Sequence, residues 1–201
     1  MKHQEHIVCI KSDKVTSRKD GLVNYDLQLK DLMLGQRAIL EQDLDFRQVL
    51  PVSVFLHEGA IWAYERTKKG GESRLHNKIA VAVGGHWDLA DLHITEGVID
   101  LEKSLEAAII RELDEEVTLS SKIIRTYRLP QMICADDTDV DKVHLGMVWI
   151  HELDGNGLAS AEDQLETIGF VSPQRLVSGE FNIENWARII CNAILSNPSL
   201  K

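Results

Sequence analysis

The densest chemistry in the sequence lies at Arg111-Glu112-Leu113-Asp114-Glu115-Glu116. Projected on a helix at roughly 100° per residue, Leu105, Ile109, Leu113 and Val117 form one apolar stripe, which Ala108 widens on one side. Glu112 falls between Ala108 and the stripe, Glu116 falls at its edge, and Glu115 lies just beyond Ala108. Three carboxylates therefore crowd one side of the helix close to its buried face. Like charges at these spacings repel by about a few tenths of a kcal/mol even when exposed. Partial burial raises the cost unless the groups are paired or bound to a cation. Arg111 offsets part of that charge, and a raised carboxyl pKa could relieve more. A divalent metal accounts for the remainder, and hard oxygen donors suit Mg2+ or Mn2+ far better than zinc. A solvated acidic helix fits the same residues, so the wheel by itself leaves both readings open.

A second feature narrows the choice. Gly84-Gly85 closes an apolar run at residues 79–83. Glycines there let the backbone approach a ligand closely and offer the Gly84 carbonyl to a metal, although a tight turn needs glycine too. The densest basic cluster is Arg66, Lys68, Lys69, Arg74 and Lys78. Such residues could clamp phosphates, with Arg74 and His76 the favoured pair; a solvated lysine-rich loop has the same composition. His86, beside Gly85, is a candidate phosphate contact or a structural histidine. His57, His93, His144 and His151 show no metal-ligand spacing.

The elements that must position these groups follow from periodicity. Residues 7–10 read as a strand, and residues 29–40 carry apolar positions at helical spacing, interrupted by Gly35. Residues 49–56 and 60–64 read as strands around a turn at Glu58-Gly59, and residues 79–83 as a buried strand. A helix is predicted over residues 101–117, with Ser104 or Asp100 available to cap it. Strands follow at residues 123–129, 143–152 and 167–171, then a short helix opened by Ser172-Pro173 and an amphipathic helix over residues 183–195. Strands with few, unevenly placed helices predict a mixed sheet flanked by helices, an α/β sandwich.

The chain has 201 residues, 44% hydrophobic and 27% charged, and a formal net charge of −10. That size suits one domain, and the negative charge argues against binding a nucleic-acid polymer. No apolar stretch is long enough to span a membrane, and the polar N-terminus lacks a signal-peptide core. Cys9, Cys134 and Cys191 are widely spaced without a C-x-x-C pair, as expected of reduced thiols in a cytoplasmic protein.

Taken together, these motifs resemble the signature of the Nudix hydrolases, G-x5-E-x7-R-E-U-x-E-E-x-G-U, with U a bulky apolar residue. Residues 111–117 fit R-E-U-x-E-E-x without a mismatch. Ser172-Pro173-Gln174-Arg175-Leu176 is similar to the family's late strand-turn-helix, and residues 49–88 to its early sheet. Within the family, Arg74-Leu75-His76-Asn77-Lys78, Gly84-Gly85-His86 and Val143-His144-Leu145-Gly146 resemble a poorly characterised group of predicted phosphoesterases. The departures are specific. Gly85 stands 26 positions before Arg111 where the signature has 14, which gives a loop with 12 extra residues. Lys103 occupies the slot of the first glutamate, and Thr118 that of the last glycine.

The resemblance implies a Nudix-like α/β/α sandwich over residues 49–201, preceded by an extension at residues 1–48 made of a strand and a helix. It implies a cytoplasmic Mg2+-dependent hydrolase, Mn2+ being an alternative, that cleaves a phosphoanhydride of a nucleoside diphosphate linked to another group. Glu112, Glu115, Glu116 and the Gly84 carbonyl would hold metal. Glu112 would accept a proton or orient water, and Arg111 would orient the carboxylates. Arg66, Arg74, His76, Lys78 and His86 would bind a small phosphorylated or nucleotide substrate. Glu162, Asp163 and Glu166 are candidates for a further acidic ligand. A binding or regulatory module with little activity is the other reading, favoured by Lys103 and Thr118. An isopentenyl diphosphate isomerase would place a cysteine where Gly84-Gly85-His86 stands. Pairing of subunits through the N-terminal segment remains open.

Overall fold

Alternation of apolar residues around Val49 and Val52 gives the long strand Phe46–His57, and the run Ala60–Arg66 gives its hairpin partner. In the computed structural model, which describes residues 5–67 and 75–197, eleven of the described strands join in one sheet. The chain is an α/β protein with a large mixed sheet and few helices. It divides into two compact units. One comprises the residues through Val52 with Gly84–Glu112 and Leu129–Val148, the other Ser53–Val83, Leu113–Arg128 and the residues from Trp149 onward.

In the first unit, His6–Lys11 pairs antiparallel with Met33–Gln36 on one side and with Phe46, Arg47 and Gln48 on the other. Its four central residues are buried, as a two-sided strand requires. Ile7, Cys9 and Leu40 pack together with Phe46. Leu22–Val23 pairs with Met132–Ile133, whose Ile133 pairs in turn with Gly146 of the strand His144–Leu153. A small hairpin joins Ile94–Thr95 to Val98–Ile99.

The helix predicted over residues 29–40 is replaced by a short 3-10 turn, the strand Met33–Gln36 and a single helical turn, Arg37–Leu40. The physical reason is at the surface. Gly35 costs a helix about 1 kcal/mol, and Met33 and Leu34 remain exposed, so no buried stripe compensates. The backbone gains a ladder with His6–Lys11 instead. The single buried strand predicted over residues 79–83 is likewise two short strands, Ile79–Ala80 and Val83–Gly84, separated by two residues outside any strand.

In the second unit, Ala60–Arg66 pairs with Leu56 and His57, with Leu165–Val171 and with Ile79–Ala80. Ile123–Arg128 pairs with residues 149–153 of the strand His144–Leu153, and Val117–Leu119 with Leu158–Ser160. Phe55, Trp62, Tyr64, Ala80, Val83, Val117, Leu153, Leu158 and Leu165 form the core, with Leu113, Leu119 and Phe170 against it. Pro173–Leu176 is capped by Ser172, and Asn185–Ser196 buries Ile189, Ile190 and Ile194.

The long helix Leu101–Glu116 ends one residue short of the expected Val117, which begins the next strand. Its cap is Asp100, whose Oδ1 accepts from the Lys103 amide at 3.2 Å. Ser104 is buried, and its hydroxyl donates to the Asp100 carbonyl at 2.6 Å.

Candidate functional site

Burial decides how each carboxylate of the acidic segment behaves. In the first unit Glu112 is only 9% exposed. Its carboxylate lies so close against Gly85 that a Cβ there would sit 2.5 Å from Oε1, a distance no side chain tolerates. Gly84 has φ +144°, and a Cβ on it would meet the Pro51 carbonyl at 2.5 Å. Gly84 is therefore required by close approach to neighbouring backbone, whereas a Cβ on Gly85 would have to displace the Glu112 carboxylate.

Arg111 holds Glu112 from the other direction. Its Nη1 donates to Glu112 Oε1 at 2.6 Å and its Nη2 to the His86 carbonyl at 3.0 Å. Its Nε and Nη2 also fork onto the two oxygens of Asp91, both at 2.9 Å. These bonds, with Asp91 the largest contributor, raise the Arg111 pKa and keep the guanidinium charged. Asp91 is 5% exposed and is held in its own turn by the Asp88 amide, 2.9 Å from Oδ2. Sequence reasoning missed Asp91, because it lies in the irregular loop between Gly85 and the helix, where no periodicity marks it. Lys103 projects from the first turn of the helix to Asp100, 3.0 Å away, and is largely exposed.

The His86 ring lies 5.5 Å from that of His144. His144 donates through Nδ1 to the Val140 carbonyl at 2.7 Å, and burial pushes its pKa down to about 4. It is therefore a neutral imidazole at physiological pH.

In the second unit Glu115 is exposed and Glu116 half-buried. Arg66 donates through Nε to Glu184 Oε1 at 2.5 Å and through Nη2 to the Tyr64 hydroxyl at 3.3 Å. That hydroxyl donates to the Ala82 carbonyl at 2.6 Å. Burial opposes the Arg66 charge, but the carboxylates of Glu184 and Glu116 hold it in place and raise its pKa. Burial also raises the pKa of Tyr64, so it stays a neutral phenol. Glu184, just before the C-terminal helix, is the second partner that sequence reasoning missed; nothing in its local pattern points at a residue 118 positions away. His76 and Lys78 are half-buried, and the Asn77 amide donates to the Arg66 carbonyl at 2.8 Å. Lys68, Lys69 and Arg74 lie outside the described residues. Glu162 is half-buried, Asp163 and Glu166 exposed.

By donor chemistry, the carboxylates of Glu112, Glu115 and Glu116 on one helix suit a hard divalent cation. Among the described residues no three acidic, histidine or cysteine side chains are already gathered around one point.

The first 3D likeness is to the crystal structure of Tm1382, a proposed Nudix hydrolase. It superposes with a TM-score of 0.71 over 96% of this chain and 99% of that one, at 19% identity. The chain has the Nudix fold. A Nudix-family hydrolase from Clostridium perfringens covers 75% of this chain and 97% of that one at 15% identity, with a TM-score of 0.40. In sequence, protein YmaB of Bacillus subtilis (strain 168) is 26% identical over 162 residues, 79% of this chain and 76% of YmaB. No protein-family model matches. Among the described residues of this Nudix-fold chain, no helix is long and apolar enough to cross a membrane.

Proposed function

We propose that this Nudix-fold chain is a cytoplasmic hydrolase that depends on Mg2+, with Mn2+ as substitute. Its substrate class is a nucleoside diphosphate linked to another group, or a related organic pyrophosphate, cleaved at the phosphoanhydride. The observation that carries the reading is Glu112, a nearly buried carboxylate pinned between Gly85 and the Arg111 guanidinium. Burying a carboxylate costs free energy that packing alone does not return. Its helix continues directly into Glu115 and Glu116.

In this reading Glu112, Glu115, Glu116 and the Gly84 carbonyl hold the cation. Bound there, it would neutralise phosphate charge and lower the pKa of water. Glu112 orients the attacking water and accepts its proton, within reach of Arg111, which keeps the carboxylate aimed. Arg66, Arg74, His76, Lys78 and His86 supply the positive or hydrogen-bonding surface for phosphates, Arg66 from a guanidinium already fixed by Glu184. Residues 49–201 form the catalytic domain and residues 1–48 an extension to it.

The test is a screen of nucleoside diphosphate derivatives with Mg2+. Turnover that stops with chelator and returns with Mg2+ supports the reading. A binding module is the second reading, favoured by Lys103 in place of a carboxylate at the helix start. Nucleotide binding without turnover across the whole panel would establish it instead.

A further inference from the structure

The loop between Gly85 and the long helix does more than connect them. It brings Asp91 to Arg111 in a two-bond fork, with both bonds at 2.9 Å. Asp91 is nearly buried and fixed by a capping box with Asp88, so the fork is rigid. The same guanidinium reaches Glu112 through Nη1 and the His86 carbonyl through Nη2. A planar guanidinium with two parallel bonds to one carboxylate has its plane set, and that plane sets where Nη1 meets Glu112. Lys103, by contrast, is turned towards Asp100.

We propose that Asp91 is a positioning residue for Glu112 and acts through Arg111; this rests on the reading of Glu112 as a cation ligand. Asp91 balances the guanidinium charge and occupies its Nε–Nη2 edge, so that Nη1 is the donor aimed at Glu112 and the carboxylate is held in one orientation. Without Asp91, the Nε–Nη2 edge loses its carboxylate, and the guanidinium is no longer held in the plane that aims Nη1 at Glu112.

The experiment is calorimetric titration of the full chain with Mn2+, beside circular dichroism and a melting curve for each variant. Asp91→Asn is expected to weaken Mn2+ binding roughly tenfold while the fold is retained. Arg111→Lys keeps the charge but cannot fork, and is expected to show a loss of similar size. The double variant is expected to be no worse than the poorer single one, because both changes break the same link. Parental Mn2+ affinity in Asp91→Asn, or losses that add in the double variant, would overturn the role of Asp91. If Asp91→Asn does not fold, Arg111→Lys decides: parental affinity there overturns the proposal, and the loss supports it. A parent chain that takes up no Mn2+ would overturn the hydrolase reading itself, and this one with it.

Discussion

Glu112 and Glu115 stand one helical turn apart in sequence, yet the two units treat them in opposite ways. Glu112 is buried, pressed on Gly85 and bonded to Arg111. Glu115 is exposed. A carboxylate like Glu112 is committed to its place before any ligand arrives, with its desolvation offset by Arg111. An exposed carboxylate such as Glu115 keeps much of its hydration. On the proposed reading, this acidic helix end combines a buried anchor with an exposed ligand, so removing each should fail in a different way.

The largest effect expected is on turnover. Glu112→Gln, Glu115→Gln and Glu116→Gln should each lower it by roughly a hundredfold or more, as for a lost metal ligand or its support. Glu112→Gln should also lower the melting temperature more than Glu115→Gln does, because it removes the buried carboxylate charge that accepts from Arg111 Nη1. Steady-state rates read beside thermal melts check this contrast; equal stability losses in Glu112→Gln and Glu115→Gln would erase it.

The same logic shows what was legible in the sequence. The long helix, the strands around Val49 and Ala60 and the capped turn at Ser172 all announce themselves by local periodicity or by a capping residue, and they are found where periodicity puts them. Glu112, Glu115 and Glu116 were conspicuous because charge sat against an apolar stripe. Asp91 and Glu184 were not, because each is one acidic residue in irregular chain whose importance comes only from the arginine that folding brings to it. The segment at residues 29–40 misled because its apolar spacing implies burial, whereas Met33, Leu34 and Ile39 stay at the surface.

Acid should test both units at once. Burial holds His144 in the first and His151 in the second at pKa values of about 4, below the ordinary 6.5. Both are neutral in the fold, so the unfolded chain binds protons more readily once pH drops below 6.5. The stability contributed is present above that value and is lost as pH falls towards 4. By pH 5 the loss is about 2 kcal/mol per histidine. Urea unfolding at pH 7 and pH 5 measures it, and His151→Asn should flatten part of the difference.

Gly85→Ala should cost about 1 kcal/mol of stability, since its Cβ must displace the Glu112 carboxylate and with it the bond from Arg111. Gly59→Ala is the control at an open position: its Cβ meets nothing within 4 Å, although its positive φ adds some strain. Chemical denaturation of the two variants would separate the carboxylate clash from the loss of a glycine as such.

The smallest effect should come from Lys103→Glu. That change restores the signature's glutamate on an exposed first turn, but Arg111 is already forked onto Asp91. Stability should stay within about 0.5 kcal/mol of the parent, and a larger gain by denaturation would mean that Arg111 lacks a firm partner.

The most direct test is Mn2+ titration of the parent chain beside Glu115→Gln, the variant that leaves the buried anchor untouched. Saturable binding in the parent that is lost or greatly weakened in Glu115→Gln is the predicted result. Equal binding by both, or none by either, would contradict a cation held at the end of the long helix.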